Sequence, residues 1–455
     1  MVQTTRGVAH RRPNILLVTT DDQGNQAGCY GDPIARTPNL DRFARQGVRF
    51  SRAYVTSATC SPSRSSMLTG LFPHQNGQIG LSHLGYTMRD GVDTLPAVLG
   101  EAGYRTGILG KLHVEPVDAF PFPFNRTDLV LETRHPNLVA RQFNTFLSQT
   151  SDRPFFFMCN LFDPHPPYAM EPATGLPDPL FGPEDVRTFP WLGIETPEVL
   201  EEIAAVYNLT TRADSCFGAL LAVLEERGLA NDTLVIYIGD NGPNFAKAKT
   251  TNYEAGVHVP LVVRWPTGLP RRAVHHGFVS AVDLVPTICD ATGVAWPSEL
   301  PGDSLLPVAR GESLPWRRFL CTEHHAHGPD HWFPRRSIRG VRYKLIENLL
   351  PNRWNPVPWL GSEREVLRDP QAPERSKFNT FLRPPAIELY DLARDPHEWN
   401  NLADDPAFES PRNFLKRALD DWRTRTDDPF MDAAFLEEVT ASHDAAREAA
   451  RQASG

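Results

Sequence analysis

Asp21-Asp22 and Asp240-Asn241 stand far apart in the chain, yet all four residues offer side-chain oxygen. Brought together, such a set suits a hard divalent cation, Ca2+ or Mg2+, better than zinc. Taken singly, an acidic pair after a strand does no more than cap a turn. Lys111 and His113, in GKLHVEP, are two positions apart, so extended backbone turns both to one side. Two groups able to carry positive charge and facing one way suit an anion. His165, in DPHPPY, is held in an extended loop by its flanking prolines. Lys249 precedes TNYEAGVHVPLVV. Alone, either reads as an ordinary loop or surface residue.

The stretch TCSPSRSSMLTG, residues 59–70, adds a cysteine and an arginine. Pro62 suits a first helical turn. Cys60 then falls at a helix N-terminus, where backbone N–H groups favour negative charge. Arg64 would bring a planar donor fork to the same place, a geometry that fits a tetrahedral oxyanion. A cysteine nucleophile, a buried thiol beside a structural arginine and a modified residue all remain open at this point.

These residues need a scaffold that collects them. PNILLVTT (Pro13–Thr20) is a buried-strand pattern that runs into Asp21-Asp22. Arg105–Gly110, Pro154–Phe162, Thr233–Gly239 and Val259–Trp265 read as further strands. Asn39–Gly47, Leu95–Gly103 and Leu200–Gly228 read as helices closed by glycine. Strands alternating with helices predict an α/β fold with a large, mostly parallel sheet flanked by helices. Ligands in such sheets sit at the carboxyl ends of the strands. Asp21, Asp22, His113, Asp163, His165, Asp240 and Asn241 all fall at or just after predicted strand ends.

Pro164–Pro197 is proline-rich and aperiodic, and it reads as a long surface insertion beside a substrate pocket. Beyond residue 312, strand candidates at Arg318–Thr322, Ser337–Ile346 and Ile387–Asp391 precede a helix at Pro411–Arg425. The organisation is therefore a catalytic domain over 13–311 and a smaller α+β subdomain with an antiparallel sheet over 312–430. Residues 1–12 and 431–455 are expected to be flexible termini, with the Ala/Arg/Glu-rich Glu437–Gly455 fraying.

A net charge of −9 argues against a nucleic-acid partner, and an anionic substrate would need a local cationic site. No apolar run is long enough to span a membrane. No secretory leader is read in MVQTTRGVAHRRPNILLV, so a cytoplasmic location is expected, with export as the alternative. Six scattered cysteines form no CxxC pair, so neither a disulfide framework nor a zinc site is indicated. The sequons at Asn125, Asn208 and Asn231 then carry no glycosylation signal.

CSPSRSSMLTG resembles the signature of the type I sulfatases, in which Cys-x-Pro-Ser-Arg leads into Leu-Thr-Gly. NILLVTTDDQG, TPNLDRFARQGVRFSRAYV, GYRTGILGKLH, DNG and the Lys249 segment follow in the order of that family, so the likeness spans roughly residues 13–430. It implies an alkaline-phosphatase-like fold and conversion of Cys60 to Cα-formylglycine by a formylglycine-generating enzyme. It implies that Asp21, Asp22, Asp240 and Asn241, with modified Cys60, bind one cation, Ca2+ or, failing that, Mg2+. Arg64 would help stabilise the nucleophilic hydroxyl of the aldehyde hydrate. Lys111, Lys249 and His165 would hold the sulfuryl oxygens and help protonate the leaving group. His113 would take a proton from the second hydroxyl as sulfate departs.

GLFPHQNGQIGL, GKLHVEP, NDTLVIYIGDNG and ELYDLARDPHEWNNLADDP resemble the branch of the family that acts on N-sulfated glucosamine. His324 and His325, in TEHHAHG, resemble a substrate-facing loop of that branch. The implied substrate is a small sulfated sugar. Two departures stand out: no leader is read, and Lys249 replaces the arginine of that branch. The alternatives are an O-sulfatase on another ester, a phosphonate or phosphate ester hydrolase of the superfamily, and a non-catalytic sugar-binding protein. A homodimer is compatible with the sequence.

Overall fold

From Ile15 to Val18 every side chain is apolar, and this run lies at the centre of a sheet buried on both faces. The computed structural model describes residues 12–149, 152–356 and 361–454. Its strands are β1 (Asn14–Asp21), β2 (Val48–Phe50), β3 (Ala53–Tyr54), β4 (Arg105–Gly110), β5 (Phe124–Arg126), β6 (Phe155–Pro164) and β7 (Thr233–Gly239). β8 (Leu261–Arg264), β9 (Ala273–His275), β10 (Val279–Ser280), β11 (Leu320–Ala326), β12 (Trp332–Arg339), β13 (Tyr343–Asn348) and β14 (Ile387–Asp391) follow.

The large sheet has the order β5-β4-β6-β1-β7-β8-β2-β9. Strands β5, β4, β6, β1 and β7 pair in parallel, whereas β8 runs antiparallel to both β7 and β2. Alternation splits the strands between two cores. Ile15, Leu17, Phe156, Met158, Leu234 and Ile236 face one of them. Leu16, Val18, Phe155, Phe157, Val235 and Tyr237 face the other. Each such side chain contributes about 1.5–3 kcal/mol on burial. The helix Pro197–Glu226, capped by Thr196, packs Phe217, Leu220 and Leu224 on the second face. The helices Cys60–Thr69 and Leu284–Thr292 cover the first with Met67, Leu68, Val285 and Ile288.

Strands β11 to β14 form the antiparallel sheet expected of the C-terminal part. The helix Glu409–Arg425 lays Leu415, Leu419 and Trp422 on Ile338, Leu345 and Leu389. The strand expected over 337–346 is a hairpin instead, β12 and β13, closed by the Gly340 N–H donating to the Tyr343 carbonyl at 2.8 Å. Alternation continues on both sides of that glycine and hides the turn. The short strands β5 and β9 at the two edges, and β2 beside β9, went unread because three residues show no period.

The Pro164–Pro197 insertion is only partly a surface element. Phe181, Val186, Phe189, Leu192 and Ile194 pack against Ile203 and Tyr207 of the long helix. The stretch from Glu437, expected to fray, belongs to the helix Ala433–Ser454, with His443 stacked on Trp332 at 4.4 Å. Among the described residues no helix is long and apolar enough to cross a membrane.

Candidate active site

Four parallel strand ends put chemistry on one rim of the large sheet. Asp21 closes β1, Lys111 follows β4, His165 follows β6, and Asp240-Asn241 follow β7. The antiparallel β8 brings Lys249 to the same rim from its N-terminal side. Asp22 is in left-handed backbone, φ 62°, which lets its N–H donate to Asp240 Oδ1 at 2.9 Å. Asn241 Nδ2 donates to Asp22 Oδ1 at 2.7 Å. His113 (φ 58°), Lys247 (φ 62°) and Thr250 (φ 65°) share this sparsely populated conformation. Such backbone clusters where packing enforces a functional geometry.

The helix Cys60–Thr69 is buried along its whole length although much of it is Ser and Thr. Two of its hydroxyls find local acceptors, Ser65 on the Pro62 carbonyl and Thr69 on the Ser65 carbonyl, both at 2.8 Å. Gly70, at φ 71°, ends it. Arg64 reaches across the strand ends. Its Nε and NH2 contact Asp240 at 2.9 and 2.8 Å, and its NH1 donates to Asn160 Oδ1, the Lys111 carbonyl and Thr19 Oγ1. Its donors thus serve the acids and the strand ends.

The three acids carry three cations. Lys111 Nζ lies 2.6 Å from Asp21, and Lys249 Nζ lies 2.6 Å from Asp22. Burial works against the charge on Asp21, but Lys111, His165, Arg64 and Lys249 outweigh it and hold that carboxyl well below the usual range. Asp240 goes the other way, raised to about 7 by burial and by Asp21. Burial pushes the Cys60 thiol up to about 12, against the pull of Lys111 and Lys249. His113 is driven well below its usual value by burial and Lys111, and His165 falls to about 4 through burial and Lys249. Both imidazoles are therefore neutral near pH 7.

One ligand atom from each of Asp21, Asp22, Cys60 and His165 lies within 4.8 Å of the others. Asp240 adjoins this group through Asp22 and Arg64. Asn241 Oδ1 is buried beside it with no hydrogen-bond partner. Three carboxylates and an orphaned amide oxygen fit an oxygen-seeking cation such as Ca2+.

A cavity of about 710 Å3 opens above this layer, with Cys60, Lys111, His113, His165 and Lys249 in its wall. His165 belongs to a loop fixed from below. Asp163 accepts from Arg134 Nε at 2.8 Å and from Arg212 Nε at 2.6 Å. Those guanidinium groups donate onward to the carbonyls of His165, Pro167, Ala169 and Pro172.

His324 and His325 do not line the cavity. Both belong to β11 and are buried, His324 against Thr59 Oγ1 at 3.3 Å and His325 against Glu323 at 3.2 Å. The cavity residue of that segment is His327, the first after the strand. Sequence reasoning also missed His83, Tyr168, Glu202, Asn244 and Arg364, which belong to no short motif. His83 Nδ1 lies 2.7 Å from His113 Nε2.

Rim, cavity and helix gather acids, cations and a cysteine in an arrangement that fits a tetrahedral oxyanion. Residues 13–294 match the sulfatase family, and residues 245–355 match the C-terminal part of N-sulphoglucosamine sulphohydrolase. The N-sulphoglucosamine sulphohydrolase of Homo sapiens is 34% identical, over 93% of this chain and 93% of that protein. The phosphonate monoester hydrolase of Agrobacterium radiobacter shares the fold at a TM-score of 0.72 and 20% identity, over 91% of this chain and 96% of its own. A structure solved with its substrate D-glucosamine-2-N,6-O-disulfate matches at 0.66 and 20% identity, over 92% and 99%. The chain belongs to the sulfatase family and is a sulfatase, a hydrolase of sulfuric esters or sulfamates. That family is in general metal-dependent and formylglycine-modified.

Proposed function

We propose that this sulfatase removes sulfate from N-sulfated glucosamine-type sugars of glycosaminoglycans, using formylglycine made from Cys60 and a Ca2+ ion. The observation that carries the substrate reading is the match of residues 245–355 to the C-terminal part of N-sulphoglucosamine sulphohydrolase. That segment supplies Lys249 and His327 to the cavity wall. The acidity of Cys60 supports modification: a thiol raised to about 12 stays protonated near neutrality and is a weak nucleophile.

Asp21, Asp22, Asp240 and Asn241 would hold the cation, with an oxygen on modified residue 60. The cation and the hydrated aldehyde together supply an oxygen nucleophile at neutral pH and a second hydroxyl through which sulfate can leave. Lys111 and Lys249 would hold the sulfuryl oxygens, since each ammonium has donors beyond its bond to Asp21 or Asp22. Arg64 fixes Asp240 and the strand ends against which these groups are placed. His113, neutral at rest, accepts the proton released as sulfate departs. His165 and the lysines assist the leaving nitrogen or oxygen in taking up its proton.

Mass spectrometry of the tryptic peptide Ala53–Arg64 from the native host tests the nucleophile; an aldehyde mass is expected, and a plain thiol in a host that matures other sulfatases overturns it. For the substrate, kcat/KM for N-sulfoglucosamine should exceed that for simple aryl sulfates and matched phosphonate esters. The reverse order sinks the sulfamate reading.

A further inference from the structure

The cations of the centre are all matched, because Arg64, Lys111 and Lys249 each lie on one of three buried carboxylates. Arg364 differs. It lines the same cavity, its side chain is exposed, and among the described residues it makes no ion pair. It is also firmly placed. The short helix Glu363–Arg368 is fastened to the long helix by Glu202, which accepts from the Ser362 N–H at 3.0 Å and the Ser362 hydroxyl at 2.9 Å. Gly361 permits that approach, since a Cβ there would come within 2.0 Å of Glu202 Oε2. Glu363 accepts from the Ala246 N–H at 2.8 Å and ties the same helix to the segment that carries Lys249.

We infer that Arg364 binds a second anionic group of the substrate, a carboxylate or a second sulfate, while Lys111 and Lys249 take the scissile one. This rests on the sulfohydrolase reading above and names the substrate class within it. The guanidinium fork matches either anion in a two-point contact. At the mouth of the cavity Arg364 keeps its hydration until substrate arrives, so it needs no resident counter-charge. A chain of net charge −9 repels a dianion at long range, and a free cation at the entrance opposes that locally. The preferred substrate is therefore a glucosamine N-sulfate with a further anion, on its own ring or on the next sugar.

The test compares kcat/KM for N-sulfoglucosamine, its 6-O-sulfated form and an N-sulfoglucosaminyl-uronate disaccharide, using enzyme shown by mass to be modified at residue 60. At least one dianion is expected to be preferred by about tenfold, and which one identifies the source of the anion. Arg364→Gln should collapse that preference, and Arg364→Lys should restore part of it. A folding defect lowers all rates together and leaves the ratio untouched. A ratio that survives Arg364→Gln, or no preference in the parent enzyme, overturns the assignment. If no N-sulfated sugar is turned over, the sulfamate reading fails instead. The same ratio for 4-nitrophenyl sulfate and a carboxylated aryl sulfate then decides Arg364 by itself.

Discussion

Asp163 and the trio Asp21, Asp22 and Asp240 occupy the same row of strand ends, and the chain treats them differently. Asp163 sits between two arginines that also satisfy four loop carbonyls, so its oxygens and their donors are engaged. The trio is crowded, acid against acid. Its counter-charges include two lysines in the cavity wall, and Asn241 Oδ1 beside it has no partner. One arrangement spends its polarity on holding a loop. The other leaves an amide oxygen unpaired and two lysines in the cavity wall, the groups that the proposed cation and anion would use. Among buried acids, unfinished hydrogen bonding separates the site from its scaffold.

Cys60→Ala should divide the two most sharply. Sulfate release is expected to fall by about 10^4-fold or more, while unfolding in urea shifts by only about 1 kcal/mol. Retained turnover would remove Cys60 from the chemistry. Asp163→Ala should do the opposite and cost about 3–5 kcal/mol of stability, because Arg134 and Arg212 are left buried without a counter-charge. A midpoint shift worth less than about 1 kcal/mol, at unchanged m, would show that the clamp is not structural. Asp240→Asn should lower activity about 10^2–10^3-fold. Metal-free protein should lose about 1–3 kcal/mol of stability, since the amide has one oxygen for two buried donors, the Asp22 N–H and Arg64, and turns its N–H2 toward the other. The smallest effect is one of pH. Asp240 holds its proton up to about 7, so below that value a cation must displace it. Ca2+ affinity should therefore rise with pH by up to about tenfold per unit and level off above neutrality. Calorimetry on chelated and reloaded protein at about pH 6 and about pH 8 checks this, and Asp240→Asn should flatten the dependence.

Much of this rim was legible because Asp21, Lys111, His165, Asp240 and Asn241 obey one rule, each standing at or just after the end of a strand whose apolar run is plain in the sequence, whereas Lys249 reaches it from ahead of β8. The same rule exposes the one displaced reading. His324 and His325 lie inside β11, whereas His327, the first residue beyond it, reaches the cavity. Arg364, Glu202 and Tyr168 were not legible. They come from a short helix, the flank of a long helix and a loop set by Arg134 and Arg212, and only tertiary contact brings them to the wall. Arg64 was legible as a partner of Cys60, but its reach to Thr19, Asn160 and Asp240 needed the order of the strands.

The burial of the signature helix bears on timing. Every residue from Cys60 to Thr69 is buried, and Thr250 donates its N–H to the Ala58 carbonyl just ahead of them. On the formylglycine reading proposed above, an enzyme that modifies Cys60 would need to reach this segment before the sheet closes over it. Maturation and folding would then compete for the same stretch of chain, and a molecule that folded first would keep its thiol. The active fraction of any preparation would record which process was faster in the cell that made it.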